Sequence, residues 1–140
     1  MPQTVLTIET RGQGLYEFTG QAVEFVRQQA VAEGLLTVFV CHTSCSLLIQ
    51  ENADPDVKRD LMSFFSRLVP PSDAPTMAWV THTMEGPDDM PAHIKAALMT
   101  VSLGIPVRDG RLLLGTWQGI YLFEHRDRPH SRNVVLHLSP

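Results

Sequence analysis

Six histidines stand among the 140 residues of the chain, and four of them, His42, His82, His93 and His125, fall where runs of apolar residues break off. Ends of regular elements are where binding groups concentrate, because a rigid scaffold holds them there. His82 and His93 bracket Glu85, Asp88 and Asp89, so two imidazoles and three carboxylates lie within twelve residues. Such donors suit a divalent cation, Zn or Mg, or an acid–base pair. His93 falls in the first turn of a helix predicted to begin at Pro91. The positive end of that helix favours the neutral imidazole that a metal ligand or general base requires. Plainer roles compete. Asp88 and Asp89 read equally as turn and capping residues, and His42 as a satisfied core histidine. His130 and His137 carry little weight.

Other chemistry is poorly supported. Gly115-Thr116-Trp117-Gln118-Gly119 lacks the Lys-Ser/Thr of a P-loop and precedes no helix, so its glycines read as points of backbone bend or close approach. Trp117 fits the core there as readily as a ligand contact. Cys41 and Cys45 lie on apolar extended sequence and read as reduced thiols rather than nucleophiles. The formal net charge is -4, and the one basic run, Arg126, Arg128 and Arg132, is interleaved with Asp127 and Pro129. That run suits a small anion and is too thin for nucleic acid. No apolar run approaches the length of a membrane span and the N-terminus has no signal pattern, so a cytoplasmic protein is expected.

The elements that must position these groups are strands with three helices. Strands are expected over 4–9, 15–18, 35–41, 45–49, 77–80, 101–107, 111–114, 118–124 and 133–138, with Asp109-Gly110 as a hairpin turn. One helix is expected from a Thr19 cap to about Glu33, stopped by Gly34. A second starts at Asp54-Pro55 and buries Val57, Leu61, Phe64, Phe65 and Leu68. A third runs over 92–99. Without a βαβ rhythm, an α+β fold with residues 1–140 as a single domain is the expectation.

Three blocks of residues go further. They are His42-Thr43-Ser44 with Glu51-Asn52-Ala53-Asp54-Pro55-Asp56-Val57; Glu85-Gly86-Pro87-Asp88-Asp89-Met90-Pro91-Ala92-His93-Ile94-Lys95; and Gly110-Arg111-Leu112 with Leu114-Gly115-Thr116-Trp117-Gln118-Gly119-Ile120 and Glu124-His125-Arg126. In this order they resemble the YjbQ-like family, whose members carry the name secondary thiamine-phosphate synthase. Cys45 and Phe123 depart from its usual residues. The resemblance implies a β-sandwich-like core of mostly antiparallel strands flanked by helices, a homotrimer, and a polar pocket near the subunit boundary. It carries over His42, Thr43, Ser44, Asn52, His82, Glu85, Asp89, His93, Gln118, Glu124 and Arg126. It also implies a phosphorylated small molecule as partner and thiamine-phosphate formation as a secondary activity. Glu85, Asp88 and Asp89 would then hold Mg, and Lys95, Arg108 or Arg126 would meet phosphates. The rival enzyme is a metal-dependent hydrolase or lyase, with His42, His82 and His93 on the metal and Glu85 or Glu124 as base. A non-catalytic metabolite-binding trimer is the third reading.

Overall fold

The computed structural model describes residues 2–140. Its elements are β1 (Gln3–Glu9), β2 (Gly14–Glu17), α1 (Thr19–Gln29), β3 (Glu33–Val40), β4 (Cys45–Glu51), α2 (Pro55–Leu68), α3 (Asp89–Leu98), β5 (Ser102–Arg108), β6 (Arg111–Leu112), β7 (Gln118–Glu124) and β8 (Ser131–Ser139), with a 3₁₀ turn at Pro75–Met77. The strands form a five-stranded sheet in the order β1-β8-β3-β5-β6 and a three-stranded sheet in the order β2-β7-β4. Every pairing is antiparallel. This is the expected α+β fold.

Alternation explains the larger sheet. Leu36, Val38 and Val40 of β3, Ile105 and Val107 of β5, and Val134, Leu136 and Leu138 of β8 point inward and are buried. They meet Cys45, Leu47, Ile120 and Leu122 of the smaller sheet, and Ala22, Phe25 and Val26 of α1, in one apolar cluster. Every other residue of β3 and β8 points outward, as strand geometry demands. β7 is buried on both faces from Gly119 to Glu124, because α2 covers its far side through the Phe65–Phe123 edge contact.

Several boundaries differ from the expectation, each for a local reason. α1 has no side-chain cap and ends early, at Ala30 with φ of 54°. Thr19 is its first residue, and its hydroxyl accepts from the Ile120 N–H while donating to Glu17. Gly34 lies inside β3, where an added Cβ would fall 2.3 Å from the Ser139 carbonyl oxygen. Its role is close strand approach. The Asp109-Gly110 hairpin does form, with both residues at positive φ, as a primed turn requires.

Residues 77–80 make no strand; the chain coils through the 3₁₀ turn, and the Val80 N–H bonds back to Met77. α2 begins as expected, with the Asp54 carboxylate accepting from the Asp56 N–H and Pro55 at the first position. Its apolar stripe is wider than the surface beneath it, and Phe64 and Leu68 remain more than half exposed. No helix among the described residues is long and apolar enough to cross a membrane.

Candidate functional site

α3 begins at Asp89, two residues before Pro91, and this shift makes the site. Asp89 and His93 become an i,i+4 pair on one helical face. The His93 Nε2 lies 3.1 Å from Asp89 Oδ2, and His82, reaching in from the loop before α3, places its Nε2 2.6 Å from the same oxygen. The candidate ligand atoms of His82, Asp89 and His93 all lie within 4.8 Å of one another.

The tautomer of His93 is fixed by geometry. Its Nδ1 sits 3.0 Å from the Thr43 carbonyl oxygen, which can only accept, so Nδ1 carries the proton. In the neutral ring, Nε2 is then a lone pair facing a carboxylate oxygen. Two acceptors at 3.1 Å need a positive charge between them, either a proton or a metal ion. An imidazole whose far nitrogen donates to a backbone carbonyl is the usual support of a metal-ligating histidine.

Arg126 holds the carboxylates in place. Its Nη1 lies 2.8 Å from Asp89 Oδ1, its Nε 2.9 Å from Asp88 Oδ2, and its Nη2 3.3 Å from the Glu85 carbonyl oxygen. Asp88 also accepts from the Asp127 N–H. Burial pushes the Asp89 carboxyl upward, but the hydrogen bond to His82 and the charges of Arg126 and His93 outweigh it, and the group is held below the usual carboxylate range. Asp88 is held low in the same way, burial being outweighed by Arg126 and backbone donors. Beside the cluster, a largely apolar cavity of about 520 Å³ is lined by Phe39, Cys41, His42, Thr43, His93 and Ala97.

His42 shares that cavity but not the cluster. Its Nε2 accepts the Asn133 N–H at 2.9 Å, and its Nδ1 lies 3.4 Å from Arg132 Nη1. Burial and then the Arg132 charge lower its pKa. Ser44 and Glu124 belong to a buried network behind it. Arg132 binds Glu124 through two nitrogens and gives a third bond to Ser44 Oγ at 2.9 Å, while Thr10 donates to Glu124 at 2.7 Å. Glu85 is exposed in the loop before α3. Lys95 faces away from the cluster and is only 4% exposed.

Asn52 and Gln118 are not brought to the histidines within one chain. Gln118 pairs with Glu51 at one end of the β4–β7 ladder and Glu124 with Cys45 at the other, about 20 Å away by strand rise. Gln118 instead accepts from the Gly115 N–H. Gly119 lets the chain pass close to Glu17, Asn52 and Tyr121, and Trp117 is 61% exposed rather than in the core.

Over residues 4–140 the chain matches the model of the family described as UPF0047 protein YjbQ-like. It belongs to that family. The UPF0047 protein sll1880 of Synechocystis is 52% identical over 137 residues, covering 98% of this chain and 90% of that protein. The UPF0047 protein YjbQ of Salmonella typhimurium is 40% identical, covering 95% and 94%. A crystal structure of a YjbQ/UPF0047 protein from Clostridium acetobutylicum superposes with a TM-score of 0.86 at 34% identity, over 97% of this chain and 99% of that one. A hypothetical protein of Aeropyrum pernix gives the same TM-score at 30% identity, over 99% and 98%. These YjbQ-like relatives share the whole fold, so the loop and helix that carry His82, Asp89 and His93 lie within the matched region.

Sequence reasoning named Arg132 and His125 but not their burial. Arg132, placed in a basic run for an anion, is buried and committed to Glu124. His125, at a strand end, is a core residue whose Nε2 meets Ser46 Oγ at 2.9 Å. The unbroken apolar run Ile120 to Phe123 leading into Glu124-His125 was the signal that His125 would be interior.

Proposed function

We propose that this YjbQ-like protein is a metal-dependent enzyme of small-metabolite chemistry, a hydrolase or lyase, with its ion held by His82, Asp89 and His93. The observation that carries the reading is the His93 tautomer: a proton fixed on Nδ1 by Thr43 leaves the Nε2 lone pair aimed at Asp89 Oδ2. A bound Zn or similar ion would supply Lewis acidity and a water acidic enough to attack at neutral pH. Asp89 is oriented by Arg126, and His82 would give up the proton it now shares with Asp89. Glu85, exposed in the loop before α3, would serve as the base. The apolar cavity beside His93 would take the non-reacting part of the substrate.

Thiamine-phosphate formation is the lesser reading, a side activity. A departing diphosphate needs free cations, whereas Arg126 already holds three oxygens and Lys95 is buried.

Elemental analysis and Zn titration of untagged protein should find one ion per chain, lost in His82→Ala, His93→Ala and Asp89→Asn. Absence of stoichiometric metal in the wild type would sink the metal reading and hand the site to a His82–Asp89 acid–base pair.

A homotrimer remains part of the proposal. Asn52 and Gln118 need a second copy to meet the histidines, and Val5, Leu35 and Phe39 on the outer face of the larger sheet offer it apolar surface. Light scattering should return three times the 15.6 kDa chain mass. A monomer would leave Asn52 and Gln118 outside the site.

A further inference from the structure

Two hydrogen-bond donors face each other where His42 lines the apolar cavity. The Asn133 backbone N–H, which can only donate, meets His42 Nε2 at 2.9 Å. Nε2 is therefore a lone pair, and the ring carries its single proton on Nδ1. That N–H lies 3.4 Å from Arg132 Nη1, and a guanidinium has no lone pair to offer it. Arg132 is 4% exposed. Its Nε and Nη2 are spent on Glu124 and Ser44, whereas Nη1 has only the His42 nitrogen beside it among the described residues. A buried donor without an acceptor is costly. Two donors at this separation are reconciled by one atom that brings a lone pair to both.

We infer that the ligand of this cavity carries a carbonyl oxygen, from an amide, ester or ketone, which accepts from His42 Nδ1–H and Arg132 Nη1 together. As a statement about the substrate this rests on the metal reading above; as a binding subsite it rests on the two donors. Charge selects a neutral oxygen. Glu124 already balances Arg132, so a carboxylate or phosphate would bury a charge with no counterion. Hydrogen-bond capacity selects a carbonyl over a hydroxyl or water. A hydroxyl brings a proton of its own, and the side chains of Phe39, Val40, Ala96, Ala97 and Val101 along the cavity offer nothing to accept it. The same side chains suit a hydrocarbon or aromatic body. The ligand class is thus a small, uncharged carbonyl compound with an apolar remainder.

Benzamide, benzoate and toluene present one ring with a neutral carbonyl, a charged carboxylate and neither. Each is titrated into untagged protein, as purified and after EDTA dialysis, and followed by ¹H–¹⁵N NMR. Benzamide should bind about tenfold tighter than toluene, the worth of one buried hydrogen bond, and tighter than benzoate. His42→Phe keeps a ring in the wall and should erase the benzamide preference, measured against toluene in the same variant. The wild type gives the same answer without a substitution: the His42 Nδ1 signal should move with benzamide and not with toluene.

Equal affinity for benzamide and toluene, a preference that survives in His42→Phe, or no binding of any probe would overturn the subsite. Tighter benzoate would make its occupant an anion and overturn the neutral class. The EDTA-treated arm separates this result from the metal reading. A protein without metal can still show the benzamide preference, and a metal-bearing protein without that preference sinks the subsite alone.

Discussion

Glu124→Gln should destabilise the fold by about 3–5 kcal/mol, the usual cost of stripping one partner from a buried ion pair. Glu124 is fully buried and Arg132 nearly so. The carboxylate takes two guanidinium nitrogens, the Thr10 hydroxyl and the backbone N–H groups of His125 and Arg126. An amide cannot balance the guanidinium charge, and its NH₂ would face donors. Arg132→Met should cost a similar amount, because it leaves the carboxylate interior and alone.

The double variant Glu124→Gln/Arg132→Met should recover much of the loss. Two neutral groups in this volume cost less than one orphaned charge. Urea unfolding at one fixed protein concentration is the measurement, since self-association would otherwise shift the midpoint. Strict additivity of the two single variants would mean that the pair is not coupled. The network also reaches the site: Arg132 faces His42 and Ser44, so both single variants should loosen the strand break beside the apolar cavity.

His125 sets the second large effect, on acid stability. Its pKa falls from about 6.5 in an unfolded chain to about 3 in the fold, chiefly by burial. Between these values the unfolded chain binds a proton that the folded chain refuses. Stability is therefore fully present above about pH 6.5 and falls by about 1.4 kcal/mol for each pH unit below it. Asp88 and Asp89, held low by Arg126 and their other donors, act further down, where stability is lost as pH drops below about 4. His42, also lowered, adds to the histidine window in the same direction. His125→Phe, beside Phe123, should flatten the slope between pH 6.5 and 4 by about one proton, whatever it does to stability at pH 7. An unchanged slope would show that the histidine is not the group refusing the proton.

The strands were legible because alternation is a strong signal where one face is buried, as in β1, β3 and β8. Asp54-Pro55 marked α2 and Asp109-Gly110 its hairpin by turn chemistry alone. The site was legible in its residue types but not in its geometry. A helix start set at Pro91 hid the i,i+4 spacing of Asp89 and His93, because a proline tolerated anywhere in the first turn does not fix which position it takes. His42 looked like a third ligand because it also ends a strand. Which way a side chain turns after a strand ends is decided by partners such as Asn133 and Arg132, ninety residues away. The tertiary choice also decided Phe64 and Leu68, whose helical spacing is right for burial but whose neighbours leave them uncovered.

The order of strands in the larger sheet bears on how the protein is made. β8 is the last of the eight described strands to be synthesised, yet it lies between β1 and β3 and bonds to both. β1 leaves the ribosome first and finds its sheet partner only when β8 emerges; Gln3 and His137, which face each other across that ladder, are separated by 134 positions. Until then the inward residues of β1 and β3 have no finished sheet to enter. Long-range pairing of this kind slows folding, so the apolar face of β1 stays uncovered until translation is nearly complete.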